Sequence, residues 1–339
     1  MKNLFKIALL GLAHGLSDCV AGFMIGSLPH EEGWLGAGAL VLLYNALAFG
    51  GQVPAGMLVD RIKQPRWIVF GSLGLVLVAI AVFEANPLLA ITFAGIGGAF
   101  FHVSGGMLAL MAYPKSTIGT GLFAAPGVMG LALGGYLAWN AFPLMPWLIG
   151  GIALVALLVG ILDMNFEAPK PQQKAEPLGW HDFMMLVLLM AIAMRSAVWN
   201  LFQLIHMEAH WLLVLAGLAA MTGKVVGAII ADKVGWRRYA IIALAIATPL
   251  LAFGGTAPAF FLPGIMLLQS ATPVAVLGMY QLMPKMPATA VGMCFGLAIA
   301  LGGIPMMFDL DWPMLWFVVG LLPLAAAGYY FGMRGRNVA

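Results

Sequence analysis

The polar residues of this chain divide it into twelve stretches, each close to the roughly twenty predominantly apolar residues that a helix needs to cross a bilayer. They run at about 5–29, 35–59, 67–85, 88–112, 118–139, 144–163, 182–206, 210–231, 239–256, 259–283, 288–308 and 312–333. With 63% hydrophobic and 9% charged residues, and a mean hydropathy of +1.00, the composition excludes an ordinary soluble globule. Twelve spans use most of the 339 residues, so no separate soluble domain is expected. The expectation is an all-α integral membrane protein of twelve transmembrane helices.

Charge placement gives the sidedness. Lys2, Lys6, Arg61, Lys63, Arg66, Lys115, Lys170, Lys174, Lys233, Arg237, Arg238, Lys285, Arg334 and Arg336 all fall on one side, fourteen of the sixteen basic residues. The other side has Glu31, Glu32, Glu84, Glu208, Asp309 and Asp311. The positive-inside rule makes both termini cytoplasmic and predicts a multi-pass plasma membrane protein, as in a bacterial inner membrane. The first run follows Lys2 and Lys6 as a signal peptide would, but its length and its polar His14 and Asp18 make it a membrane helix. Cys19 and Cys294 lie in different spans and read as small apolar fillers. Trp34, Trp147, Trp211 and Trp312 mark span ends, as an aromatic belt does.

One extended polar, proline-containing segment interrupts the pattern at 164–180, "MNFEAPKPQQKAEPLGW". It reads as a cytoplasmic linker between two six-helix bundles, residues 1–163 and 181–339. A repeat supports that division. After the second span the chain reads "GMLVDRIKQPR" (56–66), and after the eighth "AIIADKVGWRR" (228–238). Aligning Asp60 with Asp232 also aligns Gly56 with Ala228, Arg61 with Lys233 and Arg66 with Arg238. The pattern, Gly-x-x-x-Asp-Arg-x-Gly-x-x-Arg in two matching loops, resembles the signature of the major facilitator superfamily. Lys63 stands where that pattern has glycine. "LAHGLSD" in the first span, "GIGGAFFHVSGG" (95–106) in the fourth, "PGVMGLALGG" (126–135) in the fifth and "GMCFGLAIALGG" (292–303) in the eleventh further resemble the fosmidomycin-resistance-type branch, with Val103 in place of the proline usual after the second histidine. The resemblance implies a secondary transporter built of two pseudo-symmetric bundles, with spans one and four lining its centre.

Five ionisable side chains fall well inside the spans: His14, Asp18, His102, Arg195 and Lys224. Each is costly in lipid and is a functional-site candidate by default. At roughly 1.5 Å of rise per residue, Asp18 stands about 18 Å above Lys6 and His102 about 15 Å from the same side, so the three titratable groups share a depth. His14 and Asp18, four apart, share a helix face. They suit proton coupling, a static hydrogen bond between helices, or a divalent-metal site. Arg195 and Lys224 bring positive charge from the second half. A guanidinium fork and an ammonium suit a carboxylate or phosphate, whereas the structural alternatives pair Arg195 with Asp18 as a gate or send Lys224 to a loop acid. Asn45 and Gln52, seven apart, are expected on one face, and Asn200 and Gln203, three apart, on another. Lys224 is the repeat equivalent of Gln52.

The sequence therefore predicts a monomeric alternating-access carrier for a small organic anion or zwitterion, coupled to protons. Arg195, Lys224, Gln52, Asn45, Asn200 and Gln203 are its expected substrate contacts, and Asp18, His14 and His102 its proton site. Asp60, Arg61, Asp232, Arg237 and Arg238 are expected to close the cytoplasmic side through charge contacts. A drug-proton antiporter and a divalent-metal carrier using His14, Asp18 and His102 are the rivals. No activated nucleophile, cofactor motif, resident-metal pattern or nucleic-acid motif is present, so neither an enzyme nor a cofactor is expected.

Overall fold

Helices form where the apolar runs predicted them, and proline marks where many begin. The structure, a computed structural model, describes residues 2–28, 36–164, 166, 180–206, 208–254, 257–307 and 314–333. Among the described residues, ten helices are long and apolar enough to span a bilayer: α1 (Lys2–Gly26), α2 (Gly38–Ile62), α3 (Pro65–Val82), α4 (Pro87–Ala112), α5 (Ile118–Trp139), α7 (Trp180–Ile205), α8 (His210–Val234), α9 (Trp236–Phe253), α10 (Pro258–Leu282) and α12 (Met314–Gly332). Two shorter apolar helices complete the twelve, α6 (Met145–Ile161) and α11 (Pro287–Gly303). Proline opens α3, α4, α10 and α11, where its missing N–H costs no helical bond. Asn86 caps α4 by accepting from Leu89 N at 3.0 Å. Most of the 164–180 linker, together with Glu31, Glu32, Trp34, Asp309, Asp311, Trp312, Arg334 and Arg336, lies outside the described residues.

The outer surface keeps large apolar side chains exposed, among them Trp147, Ile161, Phe253 and Trp316, as lipid contact requires. Between helices, small residues permit close approach. A Cβ added at Gly130 would strike Gly15 O, and one at Gly134 would strike Cys19 O, so α1 and α5 pack with their backbones nearly touching. A Cβ at Gly217 would press on Ala132 of α5 at 3.1 Å, with Val128 O at 3.4 Å, so α8 also lies close against α5. In α11, Gly292 rests on Gln52 O and Gly296 on Phe49 O of α2. Thus α5 with α8, and α2 with α11, form the two seams between the first six helices and the last six.

Two local irregularities redirect side chains. α2 contains a π-helical turn at Ala46–Gly50 and α11 another at Met293–Leu297, and the two turns face each other across the second seam. A π turn inserts a residue into the helical repeat and rotates everything beyond it. Asn45 consequently stays exposed, bonding only its own helix at Val41 O, while Gln52 is fully buried. The expected shared face of Asn45 and Gln52 is not formed, because spacing arguments assume an unbroken 3.6-residue period. α10 is likewise interrupted at Ala271, two residues before Pro273.

The repeated loops close in left-handed or extended positive-φ caps. Gly235 ends α8 with φ of 95°, and Lys63 ends α2 with φ of 56° and ψ of 30°. The left-handed region costs an L side chain about 1–2 kcal/mol that glycine avoids. Lys63→Gly should therefore raise the thermal unfolding midpoint of the detergent-solubilised protein, by an amount corresponding to roughly 1 kcal/mol. A midpoint that is unchanged or lower would show that Lys63 is not strained there.

Candidate functional site at the centre of the bundle

α1 and α4 bring His14, Asp18 and His102 into one cluster. Asp18 Oδ2 lies 3.2 Å from His14 Nε2, and Asp18 Oδ1 lies 3.2 Å from His102 Nε2. The imidazole rings meet edge to face with centroids 4.7 Å apart. Phe123 stacks on His14 at 4.6 Å, and Phe101 and Phe49 flank the pair, so the cluster has an aromatic wall and is nearly closed to solvent.

The outer nitrogens of the two histidines are also occupied, and their partners determine where the protons sit. Gln52 Nε2 lies 2.8 Å from Ala48 O and 3.3 Å from His102 Nδ1. A carbonyl only accepts, so the Gln52 group against Ala48 O is the amide NH2, which then also donates to His102 Nδ1. His102 is therefore a neutral imidazole whose Nε2–H donates to Asp18. His14 Nδ1 lies 2.9 Å from Phe123 O, another obligate acceptor, and so carries its proton there. The remaining contact, His14 Nε2 to Asp18 Oδ2, would set a lone pair against a carboxylate unless a further proton occupies it. A proton held between the imidazole and the carboxyl group would satisfy both atoms.

The three ligand-type atoms of these residues lie within 4.8 Å of one another, the spacing a metal ion would need. The tautomer set by Gln52 opposes that use, since it turns an N–H rather than a lone pair of His102 toward Asp18.

The cations of the second half occupy separate places. Lys224 Nζ donates to Ala124 O at 3.2 Å, crossing from α8 to α5 and binding the carbonyl adjacent to the one held by His14. It is within electrostatic reach of both Asp18 and Arg195. The alternative in which Lys224 reaches the loop acid is not formed. Arg195 is buried in the second bundle, donating to Gln269 Oε1 at 3.0 Å and Ser196 Oγ at 3.3 Å, with Tyr329 beside it. Gln269 Oε1 also accepts from Thr272 at 3.2 Å, so Arg195 braces the interruption in α10. The alternative Arg195–Asp18 gate pair is not formed, and among the described residues no carboxylate lies within ion-pair distance of Arg195. Asn200 and Gln203 are half-buried on α7, with Asn200 alongside Gly303 of α11.

At the end where the basic residues gather, the repeated aspartates act in reciprocal fashion. Asp60 at the end of α2 accepts from Ala288 N and Thr289 N, both at 2.9 Å, and from Thr289 Oγ1 at 2.7 Å, capping the start of α11. Asp232 at the end of α8 accepts from Thr117 N at 2.9 Å, Thr117 Oγ1 at 2.8 Å and Ser116 Oγ, capping the start of α5. Each carboxylate lies at the positive end of a helix in the opposite half, Asp60 taking two backbone N–H groups there and Asp232 one. The basic neighbours do not supply these contacts, which corrects the expected charge relay. Arg61 and Arg238 are exposed, Arg237 lies over the Tyr330 ring at 5.0 Å, and Arg66 bonds Val159 O and Gly160 O at the end of α6. At the other end, the Trp139 and His210 rings meet at a tilt with centroids 4.2 Å apart, joining α5 to α8.

Sequence reasoning missed the acceptors and the brace: the carbonyls of Phe123 and Ala124, Gln269, and the capping Ser116, Thr117 and Thr289. Only the last three carried a local signal, as hydroxyl residues at helix starts after Pro114–Lys115 and Pro284–Lys285.

A bundle of twelve helices with two mirrored seams and a polar centre defines a multi-pass membrane protein of the major facilitator fold. Among solved structures, the chain is similar to the Escherichia coli fucose:proton symporter FucP, with a TM-score of 0.68 and 13% identity over 98% of this chain and 97% of that one. It is also similar to the major facilitator superfamily transporter FucP in its outward conformation, with a TM-score of 0.73 and 14% identity over 100% of both chains. No family model and no curated protein sequence matches the chain.

The His14 ring lies directly against Gly127, whose added Cβ would collide with three ring atoms. Gly127→Ala should displace the ring and lower the unfolding midpoint by an amount corresponding to about 1–3 kcal/mol of overpacking. Gly135→Ala, whose Cβ would meet its nearest atom at 3.7 Å, should be close to neutral in the same thermal assay. Equal effects of the two substitutions would contradict this packing.

Proposed function

We propose that the protein is a secondary transporter of the major facilitator superfamily that moves a small organic anion or zwitterion by alternating access, coupled to protons. The observation that carries this reading is the buried cluster itself: Asp18 meets His14 and His102, each at 3.2 Å, in the interior between the two seams, where a proton can be held between an imidazole and a carboxyl group. A transporter couples to protons through a group whose protonation alters how its halves interact. Here His14 and Asp18 hold α1 against α5, while Lys224 ties the same turn of α5 to α8. Asp18, His14 and His102 are the proposed proton site, with Gln52 as the residue that orients His102.

The positive charge of Lys224, with Arg195 within electrostatic reach behind it, favours a negatively charged substrate group over a neutral sugar such as the fucose carried by FucP. Lys224 is the proposed first contact, with Asn200 and Gln203 as polar partners and Arg195 holding the broken α10 in shape. The fosmidomycin-resistance-type branch is the proposed placement within the superfamily. We further place both termini in the cytoplasm of a bacterial inner-membrane monomer, on the asymmetry of basic residues. Asp60 and Asp232 then close the cytoplasmic side. The divalent-metal reading keeps the three clustered ligand atoms in its favour.

The first test is a thermal-shift screen with organic anions, zwitterions, neutral sugars, lipophilic cations and divalent metals, followed by uptake of the hit into proteoliposomes. Under an inward proton gradient the wild type should accumulate the anion. Asp18→Asn should lose gradient-driven accumulation by at least about tenfold while still exchanging substrate across the membrane. Stabilisation only by metals, lost in His102→Ala, would replace this reading with the metal carrier. Stabilisation only by lipophilic cations would replace it with drug-proton antiport.

The closure proposed for the loop aspartates has its own measurement. Loss of one such cap costs a helix about 1 kcal/mol. Asp60→Ala combined with Asp232→Ala should therefore raise a long-distance population between spin labels at Lys63 and Lys285, on exposed loops of opposite halves. An unaltered distance distribution would mean that these caps do not hold the two halves together.

A further inference from the structure

Without a proton between His14 and Asp18, the cluster has two acceptors and one donor. A neutral His14 has a single N–H, whereas Phe123 O at 2.9 Å and Asp18 Oδ2 at 3.2 Å both require one. If the N–H stays on Nδ1, the Asp18 carboxylate loses a partner and acquires a full negative charge inside the protein. An unpaired buried charge is costly, and a cation in reach will be drawn to it.

Among the described residues, the titratable groups in reach of Asp18 are few. Its own helix supplies His14 and Cys19, α4 supplies His102, and α2 supplies Tyr44. α8 supplies Lys224, behind which stands Arg195 on α7. Cys19, Tyr44 and neutral His102 carry no positive charge, and Arg195 is engaged with Gln269 and Ser196. Lys224 is different. An ammonium has three N–H donors, and one of them goes to Ala124 O, next along the chain from the carbonyl that His14 occupies. The two side chains therefore approach one turn of α5 from opposite halves, with Asp18 in electrostatic reach of both.

We infer that a proton shared by His14 and Asp18 exchanges with Lys224: when that proton leaves to water, the ammonium moves from Ala124 O to the Asp18 carboxylate. One positive charge departs and one arrives, so the interior stays balanced. The inference rests on the proposed transport reading only for its consequence. The protonated cluster leaves Lys224 free for an anionic substrate group, whereas the deprotonated cluster captures Lys224 and pins α8 to α1. Proton and anion then bind together, the relation that symport requires, and competition between a proton and a substrate cation for Asp18 is disfavoured.

The test uses the purified full-length protein without any substrate. Isotope-edited infrared spectroscopy follows the Asp18 carboxyl band through a pH titration, with Asp18→Asn identifying the band by its loss. In Lys224→Gln the deprotonated carboxylate lacks its counter-cation, so the midpoint should rise by about one pH unit or more, a tenfold gain in proton affinity. Lys224→Arg, which keeps the charge, should titrate close to wild type. An unchanged midpoint in Lys224→Gln overturns the exchange. A second measurement needs only the wild type: the ζ-nitrogen NMR resonance of Lys224, assigned by its absence in Lys224→Arg, should shift with the same midpoint as the Asp18 band. A resonance that ignores that midpoint also overturns the exchange. Because no substrate is present, failure here leaves the transport reading standing, and absence of transport in proteoliposomes leaves the exchange standing.

Discussion

The polar interior of this protein is organised around the two oxygens of Asp18. A carboxyl group well inside a membrane helix needs hydrogen-bond donors on both oxygens, and lipid offers none. His102 meets one oxygen and His14 the other, each at 3.2 Å. Each histidine has its orientation imposed from behind, by the Gln52 amide in one case and the Phe123 carbonyl in the other. Four helices are fixed relative to one another by that chain of contacts: α1, α2, α4 and α5. Gly127 belongs to the same arrangement, since only the absence of a side chain there lets the His14 ring lie on α5.

The cluster also touches both seams between the halves. Gln52, which orients His102, is the residue on which Gly292 and Gly296 of α11 rest. Phe123, which accepts from His14, precedes Ala124, which accepts from Lys224 of α8. The contacts of Asp18 therefore end within one residue of each seam. The facing π turns in α2 and α11 lie on that route, at Ala46–Gly50 and Met293–Leu297. Turns of this kind hold fewer well-formed backbone bonds than regular helix and recur at functional positions.

At the basic end, the pseudo-symmetry takes the form of helix capping rather than of paired side-chain charges. Asp60 reaches from the first half to the start of α11, and Asp232 reaches from the second half to the start of α5. A helix start presents several N–H groups without partners, and a carboxylate from elsewhere satisfies them as well as a local cap would. Basic side chains are left to flank the junction, with Arg66 turned back to the end of its own bundle's α6.

The sequence by itself determined the number of spans, the side on which the basic residues gather, the duplicated loop and the small set of ionisable residues that lipid would reject. These follow from composition and periodicity, because a bilayer penalises polar groups strongly enough to make each exception visible. It also placed His14, Asp18 and His102 at one depth, since helical rise converts position into height. Tertiary structure decided the rest. Asn45 and Gln52 part company because a π turn between them breaks the period on which face assignments depend. Arg195 meets Gln269 rather than Asp18 because packing, not charge alone, selects a buried guanidinium's partner. The decisive acceptors, Phe123 O, Ala124 O and Ala48 O, are backbone atoms that every residue possesses, so no pattern of side chains announces them. Only the approach of another helix gives a carbonyl its partner, and with that partner the position of a proton.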